Sequence, residues 1–356
     1  ITFKYKYIVL ILYIPILRVY ALGGRWGIVQ GGIIIMEYRK LISFGKSSYV
    51  VSLPKSWVVQ NKLKKGDLLY FDEKEKDLIL SIQSGGGDKK EKEIIINVDG
   101  KSVRRIQREI ISAYIKDFKS IVLLGDELKD KAKDIQATIQ NLMALEVMEQ
   151  TSRKIVARDF LDMNTISIYN LIRKVDIIIR AMIEDCEKMF EEDNYDNISH
   201  RDNDINRLSF LIFRAIEYGF TNSSSVYKKQ NLTSLDLHNL WWFVFNLETI
   251  GDEVKRIARY TRDVKLTKPQ QNQFLRILAD AKEGYLKMMK AFHTHDVDIA
   301  HNVLETKGEV LRNCEEFYSA NKKIENVGLL IERIKSMITT THNLGRVIYQ
   351  QSLTKE

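Results

Sequence analysis

Apolar side chains recur at three- and four-residue spacing almost without a break from residue 165 to residue 353, a periodicity that predicts long amphipathic helices. The prolines are Pro15, Pro54 and Pro269, so none interrupts a helix between the last two. Three helices are expected over 167–192, 198–218 and 235–262, and the same plan returns after Pro269. An offset of 103 sets Leu171 on Phe274, Arg173 on Arg276, Asp193 on Asp296 and Asp202 on Glu305. An offset of 84 sets Leu247-Glu248-Thr249-Ile250 on Ile331-Glu332-Arg333-Ile334. Two related three-helix bundles, 165–264 and 270–353, follow from this internal repeat.

Upstream the pattern changes. Residues 92–163 read as a small α+β unit of order βαβαβ, with strands over 93–98 and 120–124, a weaker one over 153–157, and helices over 102–118 and 128–150. Ile106, Ile110, Ala113 and Tyr114 mark the buried face of its first helix; Ile135, Ile139, Leu142 and Leu145 mark that of the second. A spacer or a ligand-responsive coupler is the expected role. Ser84-Gly85-Gly86-Gly87-Asp88 ahead of it reads as a flexible linker, because neither a dinucleotide nor a P-loop pattern is present. Within 36–83 short β-prone runs at 39–44 and 48–53 flank a polar turn, Pro54 opens a short helix over 55–62, and 68–71 and 78–82 flank a second turn. The order is β, β, short α, β, β.

Residues 1–35 begin with Ile and contain one apolar run, 8–17, that Pro15 breaks and that is too short to span a bilayer. A signal peptide is one reading. Because Met36 opens a segment that reads as a complete domain, the other is translated upstream sequence or a disordered extension, with no function assigned.

Composition and charge then narrow the classes. Hydrophobic residues at 45% and charged residues at 29% suit a folded, soluble chain rather than a disordered or multi-span membrane protein. The formal charge of +8 is concentrated. Residues 36–66 carry Arg39, Lys40, Lys46, Lys55, Lys62, Lys64 and Lys65 against Glu37 alone, whereas everything after residue 90 balances. A polyanionic partner is expected to dock on that first segment. Cys186 and Cys314 are far apart with no C-x-x-C, which argues against a disulfide framework or a Cys-based zinc site and for a reducing cytoplasm, without membrane insertion. No G-x-S-x-G, H-E-x-x-H or Ser-His-Asp arrangement stands out, so no enzymatic activity is expected.

Arg39-Lys40, the run Gly45-Lys46-Ser47-Ser48-Tyr49-Val50-Val51-Ser52-Leu53-Pro54-Lys55, Trp57, and Leu63-Lys64-Lys65-Gly66-Asp67 together resemble the AbrB/SpoVT-type swapped-hairpin DNA-binding family. The resemblance implies an obligate homodimer whose chains interleave hairpins into one small β-barrel and present basic residues to promoter DNA. Four short strands bury too little core alone, which favours dimerisation on independent grounds. Arg39, Lys40, Lys46 and Lys55 are the expected DNA contacts; the alternative is an ordinary solvated surface on a barrel that only dimerises.

The repeat resembles the PhoU family of phosphate-uptake regulators, through Arg201-Asp202-Asn203-Asp204-Ile205-Asn206-Arg207-Leu208 and Leu247-Glu248-Thr249-Ile250-Gly251-Asp252. The resemblance implies divalent or multinuclear metal (iron, zinc, manganese or magnesium) at E/D-x-x-x-D motifs. Glu248 and Asp252, one turn apart, would meet Asp202 and Asp204 in the first bundle, with oxygen ligands suited to hard cations. Asn206 stands where an acid is expected, and the second copy offers only Glu305, Glu309 and Glu332, with Ser336 in place of Asp252. Asp252 could instead pair with Arg256 one turn on. His293 and His295 fall at a predicted turn and read as a solvated loop, while Trp241-Trp242-Phe243 and Phe245 read as core.

The expected architecture is thus multidomain: a dimeric swapped-hairpin barrel, a small α+β unit, and all-α tandem bundles. The leading function is a dimeric transcriptional regulator of phosphate uptake. The alternative is an accessory protein that restrains a phosphate ABC transporter by touching its ATPase subunit. A bundle di-iron protein is disfavoured because no glutamate is followed three residues later by histidine.

Overall fold

The computed structural model describes residues 38–46, 48–74, 77–82, 92–222, 226 and 229–352. The leader 1–35, Ser47 of the first turn and the linker Ser84 to Asp88 lie outside the described residues. Helices predominate, and the chain divides into two compact units, Ile1–Asp67 and Leu68–Glu356. The division falls inside the segment 36–83.

In the first unit β1 (Ile42–Phe44) pairs antiparallel with β2 (Ser48–Val50), Ile42 opposite Val50 and Phe44 opposite Ser48. Gly45, at φ +71°, makes the tight reversal that a side chain would strain. Pro54 precedes α1 (Lys55–Gln60), and the amide of Asn61 closes it by donating to the Trp57 carbonyl at 2.8 Å. Lys64 N–H then donates to the Asp67 carboxylate at 2.7 Å, fixing the turn read from Leu63 to Asp67.

The second unit opens with the hairpin β3 (Tyr70–Lys74) and β4 (Asp77–Ser81), Phe71 opposite Leu80. A four-stranded sheet follows, order β5-β6-β8-β7, built from β5 (Glu93–Asn97), β6 (Ser120–Leu124), β7 (Leu145–Gln150) and β8 (Lys154–Asp159). β5 and β6 run parallel; β8 is antiparallel to both β6 and β7. Helices α2 (Val103–Ile115) and α3 (Leu128–Gln140) bury Ile106, Ile110, Tyr114, Ile135 and Ile139 in one core with Ile121, Leu123 and Ile155.

The expected βαβαβ order is corrected to βαβαββ. The helix expected over 128–150 stops at Gln140, the chain reverses through Ala144 at φ +60°, and 145–150 is a strand hairpinned to the next. Leu142 and Leu145 are buried as anticipated, but by a loop and a strand rather than by one helical stripe.

Six long helices complete the unit: α4 (Ile168–Glu187), α5 (Tyr195–Thr221), α6 (Ser234–Asp263), α7 (Lys268–Thr294), α8 (Val297–Asn321) and α9 (Val327–Ser352). Six helices were expected over this stretch, and six are present in that order. Thr233 with Asp236, and Thr267 with Gln270, form reciprocal capping boxes that start the third helix of one copy and the first of the next. The copies share a continuous apolar core: α6 packs along α9, and Phe243 stacks on Phe292 with ring centroids 3.8 Å apart. Cys186 and Cys314 are buried in it as free thiols, and burial raises them to about 12 and about 11. Among the described residues no helix is long and apolar enough to cross a membrane.

One buried ionic node ties the sheet layer to the first bundle. Arg214 of α5, fully buried, reaches Asp117 after α2 at 2.7 Å and Asp159 of β8 at 2.5 Å, with Tyr114 beneath its guanidinium at 4.6 Å. Lys119 adds a second cation to Asp159 at 2.5 Å. Two carboxylates and two cations leave the node formally neutral, as a buried cluster requires.

Candidate functional site

The four basic residues expected to touch DNA sit in the first unit. Arg39 and Lys40 precede β1, Lys46 is in the β1–β2 turn, and Lys55 opens α1; all four are exposed. None of the described residues from 38 to 71 or from 78 to 82 is buried. Fourteen of the twenty-four exposed large apolar side chains found among the described residues fall there, including Phe44, Tyr49, Val59, Leu68 and Phe71. Every residue of β1 and β2 is thus exposed, and the two strands have no core of their own.

In the first bundle α5 and α6 approach closely where Gly251 faces Ile205; a Cβ at Gly251 would lie 2.8 Å from Ile205 Cδ1. That approach sets buried Asp202, one turn before Ile205, beside the Asp252 region of α6. The Lys255 ammonium contacts the Asp202 carboxylate and lies 3.5 Å from Asp252 Oδ1. Arg256 binds Asp252 Oδ2 at 2.8 Å and Glu253 Oε1 at 2.5 Å, and Arg333 of α9 stands 3.4 Å from Glu253. Glu248, one turn before Asp252, is held up at about 7 by burial first and then by Asp252 and Asp202, against the opposing pull of Arg256 and Lys255. Burial raises Asp202 as well, opposed by Lys255.

Asp202, Glu248 and Asp252 are therefore brought together, and Asp204 is not. Two residues on from Asp202 it lies on the opposite side of α5, exposed, 3.7 Å from Arg207. Glu305, Glu309 and Glu332 are all exposed, and Glu332 lies 3.3 Å from Lys335. The alternative pairing of Asp252 with Arg256 is present. Among the described residues no group of three or more His, Cys, Asp or Glu side chains is arranged to hold a metal ion. In this arrangement the Lys255 ammonium sits between Asp202 and Asp252, two of the four expected ligands, so the set as it stands is compensated by its own cations.

Lys255 was the missed partner, although its spacing of three from Asp252 was visible. His293, expected in a solvated loop, instead lies in the last turn of α7 with Nε2 3.6 Å from buried Asp176; His295 is the residue that takes the left-handed cap, at φ 55°. Of the aromatic run, Phe243 is buried and Trp241 partly so, but Trp242 and Phe245 are exposed and meet edge to face at 6.0 Å.

Neither a family model nor a curated protein sequence matches this chain. Among solved structures it is similar to PhoU from Pseudomonas aeruginosa, at 14% sequence identity and a TM-score of 0.41, over 51% of this chain and 90% of that one.

Proposed function

We propose that this protein is a dimeric, DNA-binding regulator of phosphate uptake, in which residues 36–83 join two chains and hold DNA while the helical repeat serves as sensor or docking body. The observation that carries the first half is the coreless basic segment: large apolar side chains lie exposed along 38–82, beside seven cations that one acid opposes over 36–66. Apolar surface of that density calls for a cover, and a second copy supplies one with the same strand order. Pairing two copies doubles Arg39, Lys40, Lys46 and Lys55, the kind of charge that neutralises phosphates and releases counterions. Support for the phosphate pathway comes from the residues of the repeat that resemble PhoU regulators.

The carboxylate trio of the first bundle gives the body a means of responding. Glu248 gains or loses a proton near neutrality, and loss of that proton places a third negative charge against Lys255 and Arg256. Dimerisation is tested by sedimentation of the full chain: the natural protein is expected to be a dimer at micromolar concentration, and Phe44→Asp is expected to weaken it at least tenfold. A monomeric natural chain would remove the swapped-hairpin part of the proposal.

The transporter-contact alternative is favoured by a different feature, the outward Trp242–Phe245 pair on α6. Aromatics of this kind anchor protein interfaces. A body that contacts a transporter is compatible with a head that binds DNA.

A further inference from the structure

A cavity of about 470 Å³ opens where α4 meets α7, lined by Arg180, Leu286, Lys287, Lys290, His293 and Thr294. Four of these six are basic and none is acidic. Most of the lined surface is carbon, so besides Leu286 the stems of the basic side chains form the wall. The volume falls within the range of roughly 300 to 1,000 Å³ typical of small-molecule sites.

The charged groups differ in how they are held. Asp176, buried in α4, accepts from Arg180 Nε at 2.9 Å and from Nη2 at 2.8 Å. It is itself fixed by the Tyr285 hydroxyl, which donates at 2.9 Å from α7. The guanidinium is thereby locked, and its Nη1 has no hydrogen-bond partner among the described residues. Lys290 makes no ion pair among them either. Lys287 meets only Glu283, at 2.6 Å, in an exposed pair that contributes little.

Lys290 and His293 alone would be explained as cations at the C-terminal end of α7, where the helix dipole favours them. That explanation does not reach Arg180, which comes from the other bundle and is oriented by a buried carboxylate. A preset guanidinium with two ammonium groups beside it is a donor set suited to a tetrahedral oxyanion.

We propose that this cavity binds a phosphoryl anion, the carbon wall receiving the body of an organic phosphate where one is attached. The site lies wholly in the helical body, so it stands or falls separately from DNA binding and dimerisation. Isothermal titration of the full chain with inorganic phosphate and with AMP tests it. Saturable binding of one ligand per chain is expected, weakened at least tenfold by Lys287→Ala with Lys290→Ala while the thermal midpoint stays put. Tighter binding of AMP would assign the site to organic phosphates, and equal binding to the free anion. Arg180→Gln is expected to weaken binding to a similar degree, with its unfolding midpoint measured alongside because it also touches Asp176. Absence of saturable binding for both ligands, or binding unchanged in the double lysine variant, would overturn the proposal.

Discussion

The N-terminal segment and the helical body treat charge and apolar surface in opposite ways. From 38 to 67 cations and large apolar side chains are alike exposed, as are the apolar side chains from 68 to 82, whereas in the body the apolar stripes close into one core and the buried ions find partners inside the chain. Arg214 has Asp117 and Asp159; Asp202 has Lys255; Asp176 has Arg180 and Tyr285. The difference separates two kinds of incompleteness. On the proposed reading the segment takes its partner from outside, while the buried ions of the body are paired within it at the joints between its layers.

The contrast breaks most readily at Arg214. Arg214→Met leaves Asp117 and Asp159 with Lys119 as their remaining cation and is expected to cost about 3 to 5 kcal/mol in urea unfolding. A loss under about 1 kcal/mol, ordinary for a surface change, would mean the body does not depend on its internal pairs.

Glu248 sharpens the contrast with a proton. Its carboxyl is raised from 4.5 to about 7 in the folded chain, so between those values the folded state holds a proton that the unfolded state releases. The stability this group contributes is present below the unfolded value and is lost as pH rises toward 7. The shift corresponds to about 3 kcal/mol. Glu248→Gln, neutral throughout, is expected to exceed the natural chain in stability by about 2 to 3 kcal/mol at pH 8 and to match it near pH 4.5. Denaturant titrations at both pH values check this; an equal difference at the two would deny the proton. Least affected is the segment, where Lys46→Ala should move stability by less than about 0.5 kcal/mol.

How much of this was legible in the sequence depends on the range of the interactions. The six long helices follow from local periodicity with no proline to interrupt them, and the β, β, α, β, β order follows from alternation around Gly45 and Pro54. Strand β7 was hidden because Leu142 and Leu145 keep helical spacing across a turn. In the carboxylate group, Glu248 and Asp252 were legible as neighbours one turn apart, and Asp202 through the repeat. Asp204 was misplaced because two positions along a helix is more than half a turn. Lys255 reads from sequence as a surface charge; only the α5–α6 approach at Gly251 makes it the counterion of Asp202. Arg214 gave a faint signal, a lone cation within Leu211-Ile212-Phe213 and Ala215-Ile216, but its partners lie 97 and 55 residues away. Exposure of the first segment, in turn, follows from too few strands rather than from any single residue.

The most direct test of an externally partnered, DNA-binding head is the salt dependence of duplex binding by the full chain, measured on a phosphate-transporter promoter fragment. With four phosphate contacts from each of two chains, log affinity should fall linearly with log salt at a slope of about −7. Lys46→Ala, removing one contact per chain, should flatten the slope by about 2. A natural chain that binds no duplex in a salt-dependent way would contradict the DNA-binding function and leave the transporter-contact alternative in its place.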